Sequence, residues 1–136
     1  MEKKFLNPDN LPDWRPVFSQ VVVVKSRDVH TIYIAGQVAV DERRNLIGAG
    51  DLKLQADQAF GNLIRALASA GASTADVVKI NIYVKHYQPS DAVIVREAFQ
   101  RAFPQRNPPV STWLGVESLA QEGFLMEVDA VAVIDA

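Results

Sequence analysis

Two carboxylates stand on the same side of the last strand-like run of the sequence. In FLMEVDAVAVID, strand alternation places Glu127 and Asp129 on one face, with Leu125 before them and Val131 after them. Two carboxylates on an otherwise apolar face can raise each other's pKa and serve as acid and base. The alternative is a solvated or interface face with two ordinary charges. Spacing alone favours that alternative, because structural groups also show perturbed pKa values.

A second polar feature is a pair of hydroxyls inside another strand-like segment. The run PPVSTWLGVESLA places Ser111 and Thr112 between a proline pair and the bulky Trp113 and Leu114. The Ser111 hydroxyl can donate to a ligand or accept from one. It can equally be a satisfied strand hydroxyl that faces a neighbouring backbone. The sequence leaves both open.

Other site chemistries have little support. His30 and His86 begin and end predicted strands, and there is no cysteine or third histidine to complete a metal set, so we expect no metal. The glycines of GAG, just before Asp51, resemble a phosphate loop only weakly, since no strand leads directly into them and an acidic residue at the helix start repels phosphate.

Composition predicts an ordinary soluble domain. The chain has 136 residues, 49% of them apolar and 22% charged, with a net charge of −2. We expect a single domain over 1–136, with 1–17 as an extended lead-in that packs Trp14 somewhere. Lysines and arginines are scattered and no apolar run has membrane length, so we expect no nucleic-acid partner, no membrane association and a cytoplasmic location.

Periodicity predicts seven elements to position these residues. Runs rich in β-branched residues at 18–26 and 30–40 predict a hairpin. Helical spacing follows from an Asp51 N-cap to a stop at Gly71, and a second helix ends before Pro104. Clean alternation in DVVKINIYVKHY predicts a strand between the two helices, and two more strands close the chain. The order β-β-α-β-α-β-β predicts an α+β fold, a mixed sheet with the helices on one face.

Several of these segments resemble one family. IYIAGQVAV is similar to the "I-x-x-S/A-G-Q" strand of the Rid family, the reactive intermediate deaminases or YjgF-like proteins. GDLKLQADQAFGNLIRALASAGAS resembles the family's first helix, and VVKINIYVKHYQPSDAVIVREAF its next strand and second helix. GVESLAQEGFLMEVDAVAV resembles its closing strands. The likeness covers most of Phe18 to Val133 in order.

The resemblance implies a chorismate-mutase-like fold assembled as a homotrimer, with a small-molecule site in each cleft between subunits. Members of the deaminase branch hydrolyse imines or enamines derived from amino acids, without metal or cofactor, and release ammonia and a keto acid. An arginine after the second helix binds the substrate carboxylate, which suits its rigid fork of donors. A glutamate in the last strand positions or activates water.

Carried over residue by residue, the match is incomplete. Glu127 falls on the glutamate position and Gly36 on the turn of the S/A-G-Q motif. Ser111, however, stands where the deaminase branch has its arginine, and Trp113 where that branch has a small or thiol-bearing residue. A cleft narrowed by Trp113 and lacking the arginine is a poor site for a small 2-imino acid, because a charge-assisted hydrogen bond contributes about 1.5–3 kcal/mol.

Three further positions complete the expected site. The second-helix asparagine of the branch maps to Val93, and its N-terminal tyrosine maps to Phe18 across a length difference. Arg106, in the PQRNPP loop, is either a substitute for the missing arginine or a solvated loop charge. Ser111 could then bind a neutral or polar ligand, with aromatic surface from Trp113 and Phe18.

Two classes of function remain open at this point. One is a trimeric hydrolase of an imine, enamine or related small nitrogenous compound, with Glu127 as the catalytic residue. The other is a non-catalytic trimer that binds a small metabolite or a protein through the same clefts.

Overall fold

The computed structural model describes residues 1–136 and contains one six-stranded mixed sheet with two helices. In the sheet the strands lie in the order β1-β2-β3-β6-β4-β5. All neighbouring pairs are antiparallel except β4 and β5, which are parallel. The strands are β1 Glu2–Leu6, β2 Val21–Lys25, β3 Val29–Gln37, β4 Val77–Lys85, β5 Val110–Val116 and β6 Met126–Asp135.

The two helices begin and end at the signals present in the sequence. Helix α1 spans Leu52–Ser69, and the Asp51 carboxylate accepts a hydrogen bond from the Leu54 amide at 3.0 Å. Gly71, with φ of 76°, follows the C-cap and adopts the left-handed conformation that stops a helix. Helix α2 spans Asp91–Ala102, two residues before Pro104.

Both helices pack on one face of the sheet, because alternate strand residues on that face are apolar and buried. Ile32 and Ile34 of β3, Ile80 and Ile82 of β4, and Val128 of β6 join α1 and α2 side chains in one core cluster. We call the opposite side of the sheet the outer face. It carries polar and partly exposed side chains, such as Tyr33, which is 50% exposed.

The structure confirms the predicted α+β order and adds one strand to it. Residues 1–17 were predicted only as an extended lead-in, whereas Glu2–Leu6 forms the edge strand β1 against β2. The run predicted to span 30–40 leaves the sheet after Gln37, and its register with β6 shifts between Ile34 and Gln37. That irregularity places Gly36 beside β6 at one end of the sheet.

Neither helix has the length and apolarity needed to cross a membrane.

Candidate functional site

A cleft of about 240 Å³ opens where β3 leaves the sheet, and we call it the acid cleft after its one ionisable residue, Glu127. Three separate parts of the chain line it: the lead-in before β2, the end of β3 and the segment from Ala120 into β6. The lining residues are Trp14, Val17, Phe18, Gly36, Val38, Ala120, Gln121, Phe124 and Glu127. Most of them are apolar, so the walls offer a ligand hydrophobic and aromatic contact.

Glu127 reaches the cleft across the backbone of Gly36. A β-carbon built on Gly36 lies 2.7 Å from the carboxyl carbon of Glu127 and 2.9 Å from its Oε1. No side chain fits between them, so position 36 must be glycine for the carboxyl group to occupy this place.

Burial and one neighbouring charge raise the pKa of the Glu127 carboxyl above its usual range. Partial burial is the larger cause, because it disfavours the ionised form. The second cause is Asp129, two residues further along the same face of β6. A carboxyl group so placed accepts a proton more readily than an exposed one, which suits a general base.

Asp129 is held by two side chains of β4. Asn81 Nδ2 donates to its Oδ1 at 2.8 Å, and the Tyr83 hydroxyl donates to its Oδ2 at 3.0 Å. In the β4–β6 register Asn81 lies opposite Asp129 and Tyr83 opposite Glu127, so all four side chains share the outer face. Burial, followed by the hydrogen bond to Asp129, raises the pKa of the Tyr83 hydroxyl, which therefore stays protonated at neutral pH.

The aromatic wall of the acid cleft comes from the lead-in. Trp14 and Phe18 are stacked, with ring centroids 6.0 Å apart. The Arg44 guanidinium lies 4.5 Å from the Trp14 ring centroid, and it also donates to the carbonyl oxygen of Asp13. These contacts hold the lead-in against the loop that follows β3.

Buried amides fix the other walls of the acid cleft. Gln37 Nε2 donates to Gln20 Oε1 at 2.7 Å, and Gln20 Nε2 donates to the Pro12 carbonyl at 2.9 Å, which ties the lead-in to β3. Gln55 of α1 donates to the carbonyls of Gly48 and Gly123 and accepts from the Leu125 amide. The chain that leads into Glu127 is therefore fastened to the start of α1.

The seven predicted site residues fall into two groups in one chain. Phe18, Gly36 and Glu127 come together in the acid cleft. Ser111 and Trp113 lie on β5, two strands away from β6. Ser111 pairs with Ile80 of the buried face, so it lies on the helix side of the sheet, opposite to Glu127.

The remaining predicted residues also lie outside the acid cleft. Trp113 packs against the main core and lines a separate cavity of about 100 Å³ with Tyr87, Leu114 and Gly115. Val93 is 43% exposed on α2, and Arg106 is exposed in the loop after it. Within a single chain no arginine or lysine lines the acid cleft.

Sequence reasoning missed several cleft residues. Trp14 was expected only to pack somewhere, Gln121 was placed in a connecting segment, and Phe124 was predicted to begin the last strand. The available signal for Trp14 was its position in a stretch rich in Pro, Asn and Asp. A large aromatic side chain in such a polar segment indicates that it packs against another part of the chain. No local pattern marked Arg44 as its partner.

The geometry suits proton transfer better than metal or anion chemistry. One carboxyl group faces an apolar and aromatic space, and a single neutral amide, Gln121, provides the other polar side chain. No group of three or more His, Cys, Asp or Glu side chains is placed to hold a metal ion.

The fold and the acid cleft define a small α+β protein with a carboxyl-bearing cleft beside a sheet. Comparison with known proteins gives this class a family. Residues 11–134 match the family described as Endoribonuclease L-PSP. The chain therefore belongs to this family, which is the Rid or YjgF-like family of the sequence analysis.

Individual relatives agree with this assignment. A 2-iminobutanoate/2-iminopropanoate deaminase of Dermatophagoides farinae is 31% identical over 120 residues, which cover 87% of this chain and 86% of the relative. RidA from the Antarctic bacterium Psychrobacter sp. PAMC 21119 has a crystal structure and is 29% identical in sequence to this chain. The alignment covers 96% of this chain and 99% of the RidA chain, with a TM-score of 0.80. A Rid-family protein of Yersinia pestis is 31% identical, with 98% and 100% coverage and a TM-score of 0.75.

Proposed function

We propose that this protein is a cofactor-free hydrolase of C=N bonds, acting on an imine, enamine or related small nitrogenous compound with Glu127 as general base. The observation that carries the proposal is the Glu127 carboxyl group, which lies over Gly36 within an apolar cleft. The deaminase name of the Dermatophagoides relative supports the same class of reaction.

The proposed reaction needs one water and one proton carrier. Glu127 accepts a proton from water as the water oxygen bonds to the C=N carbon. The imine reacts as its protonated form, so the electron pair of the C=N bond moves to nitrogen and leaves a neutral carbinolamine. Glu127 then gives its proton to the amine nitrogen. As the C–N bond breaks and ammonia leaves, Glu127 accepts the hydroxyl proton, the C=O bond forms, and the proton passes to solvent. An apolar site favours these steps, since it strengthens the base and excludes competing water.

The complete site is proposed to lie between copies of the chain in a homotrimer. In one copy the acid cleft and the β5 residues Ser111 and Trp113 lie on opposite faces of the sheet. The exposed edge of β5 offers those residues to a neighbouring copy, and Val93 on α2 and Arg106 in the loop before β5 are exposed as well. Such an arrangement combines both groups of predicted residues in each of three clefts.

The proposed substrate lacks the carboxylate of a 2-imino acid. Ser111 stands where the resemblance places an arginine, and the acid cleft itself has no positive side chain. A substrate carboxylate in such a site would lack the two parallel hydrogen bonds that an arginine donates. A neutral or protonated nitrogen compound with an apolar substituent suits the wall formed by Trp14 and Phe18.

A second candidate is a trimer that binds a small metabolite or a protein without turnover. The scarcity of polar groups in the acid cleft favours it, because Glu127 and Gln121 are the only lining side chains that are neither aliphatic nor aromatic. The two candidates differ in whether bound ligand yields ammonia.

Ammonia release from two sets of freshly generated imines tests the proposal. One set derives from amino acids and carries a carboxylate, and the other derives from amines and does not. We expect faster hydrolysis of the second set, and a loss of about 10²–10⁴-fold in Glu127→Gln. The matched control is Glu117→Gln, an exposed glutamate just after β5.

Variants at the arginine position extend the test. We expect Ser111→Arg to gain activity on the carboxylate-bearing imines, whereas Ser118→Arg, at an exposed position outside β5, should not. Saturable ligand binding with no ammonia from either set would favour the non-catalytic candidate. Equal activity of native protein and Glu127→Gln would exclude Glu127 as the base.

A further inference from the structure

Asp129 makes the most specific polar arrangement on the outer face of the sheet. Each of its carboxylate oxygens accepts one hydrogen bond, Oδ1 from Asn81 and Oδ2 from Tyr83. The two donors therefore hold the Asp129 carboxylate and its charge at a defined place.

That charge lies beside Glu127. The two residues are separated by one position on β6 and share its outer face, and Tyr83 bridges them by lying opposite Glu127 while donating to Asp129. Like charges at such a separation disfavour ionisation of the less stabilised member. Glu127 is that member, because it lies in the apolar cleft and accepts no hydrogen bond from another side chain, whereas Asp129 accepts two.

We propose that Asp129, fixed by Asn81 and Tyr83, is a positioning residue that sets how readily Glu127 takes up a proton. The role rests on the proposed function of Glu127 as base. In this role the Asn81, Tyr83 and Asp129 group does more than stabilise the sheet. It keeps Glu127 a strong base and leaves the Glu127 carboxyl group without a hydrogen-bond donor.

Apart from Asp129, the side chains that face Glu127 are uncharged, with Lys85 of β4 the exception. From β3 it faces the backbone of Gly36, and from the lead-in the uncharged Trp14 and Phe18. The segment before β6 contributes the neutral Gln121 to the cleft. On β4, Tyr83 lies opposite, and Lys85 follows on the same face without forming an ion pair.

Burial and Asp129 both raise the pKa of Glu127, which agrees with this geometry. Burial cannot be removed without rebuilding the cleft, whereas the charge at position 129 can be removed by one substitution. Asp129→Asn keeps the size of the side chain and an acceptor oxygen for Asn81 or Tyr83. It therefore isolates the charge.

The decisive measurement is the titration midpoint of Glu127, which carboxyl ¹³C NMR of the full-length protein reports. Its signal is assigned by its loss in Glu127→Gln. We expect the midpoint to fall to lower pH in Asp129→Asn and to remain high in Asp129→Glu, which retains the charge. The acid limb of the pH–rate profile for imine hydrolysis should move to lower pH in the same variant.

A matched control exists on the same strand face. Asp135→Asn removes an identical charge from β6, but about 27 Å from Glu127 at roughly 3.4 Å per residue, far beyond the screening length in ordinary buffer. It should leave the Glu127 midpoint unchanged. A midpoint that is the same in Asp129→Asn as in native protein, or that moves equally in Asp135→Asn, overturns the proposal.

Folding and catalysis are separated in this design. Asp129→Ser provides a second neutral variant should Asp129→Asn not fold, and failure of both to fold would assign Asp129 a structural role and overturn the proposal. Because the NMR titration needs no substrate, it decides the influence of Asp129 even when no imine is hydrolysed. If no imine is hydrolysed, the ammonia assay refutes the proposed function, and the NMR result on Asp129 is unaffected.

Discussion

The carboxyl group of Glu127 lies against the backbone of Gly36, with its carboxyl carbon 2.7 Å from the place of a β-carbon on that glycine. The contact joins β3 and β6 at the point where their register shifts. The position of the proposed base therefore depends on the absence of a side chain on the neighbouring strand.

Gly36→Ala should displace Glu127 and impair the site. An added methyl at this distance forces the side chain or the strand to move, and overpacking of this kind costs about 1–3 kcal/mol. We expect a lower melting temperature and loss of imine hydrolysis or ligand binding. Gly61→Ala is the control: it lies within α1, its new β-carbon meets only Arg65 Nη1 at 3.4 Å, and it should stabilise the protein by about 0.5–1 kcal/mol. A Gly36→Ala protein with native activity would show that the contact is dispensable.

Glu127→Gln should make the protein more stable at neutral pH. The folded-state pKa of Glu127 is raised above its ordinary value of 4.5, by burial and then by Asp129, so the folded state binds more protons than the unfolded state between those two values. The free energy of unfolding therefore falls as pH rises through that window. The advantage of Glu127→Gln should shrink as pH drops and level off below 4.5, as measured by urea titration at several pH values. Glu117→Gln, at an exposed site, should show no such pH-dependent gain.

Arg44→Gln should loosen the aromatic wall of the acid cleft. It removes the guanidinium from the Trp14 ring, a contact that contributes about 0.5–1 kcal/mol at an exposed site. We expect a small loss of stability and a rise in KM that exceeds any fall in kcat, because under the proposed function the wall binds the substrate and does not touch the reacting atoms. The neighbouring Arg43→Gln removes the same charge without an aromatic partner. Equal effects of the two substitutions would point to net charge and not to the Trp14 contact.

Gln55→Leu should destabilise the protein strongly. The substitution leaves the partly buried Gly123 carbonyl and Leu125 amide without their partner, and each unsatisfied group costs about 1–3 kcal/mol. The Gly48 carbonyl keeps its hydrogen bond from the Asp51 amide. We expect a loss of about 2 kcal/mol or more in the free energy of unfolding by urea titration. Gln100→Leu, on the exposed side of α2, should change it by about 0.5 kcal/mol or less. A loss from Gln55→Leu as small as that control would mean that water replaces the lost bonds.

Local patterns in the sequence were sufficient for most of the fold. The Asp51 cap, the stop at Gly71 and the alternation of β4 each depend on a few neighbouring residues, and all three are present in the structure. Strand β1 was not predicted, because EKKFL has little apolar alternation and becomes a strand only through its pairing with β2.

The candidate site was less accessible to sequence reasoning, because its contacts join distant parts of the chain. The alternation of β6 placed Glu127 and Asp129 on one face, but the Asn81 and Tyr83 bonds to Asp129 depend on a register between strands that lie 46 and 48 residues apart in sequence. Trp14 and Arg44 likewise meet only because the lead-in folds back over the loop after β3. The family resemblance supplied Gly36 and Phe18, which no periodicity would have selected.

The hydrogen bonds of Gln55 divide the segment before β6 into a fixed part and a part that can be redesigned. The Gly123 carbonyl and the Leu125 amide are fastened to α1, and Gly123 has a φ of 92° that favours glycine. Ala120 and Gln121 line the acid cleft and are exposed. A library randomised at those two positions would therefore vary the ligand specificity of the acid cleft and leave the backbone that positions Glu127 unchanged.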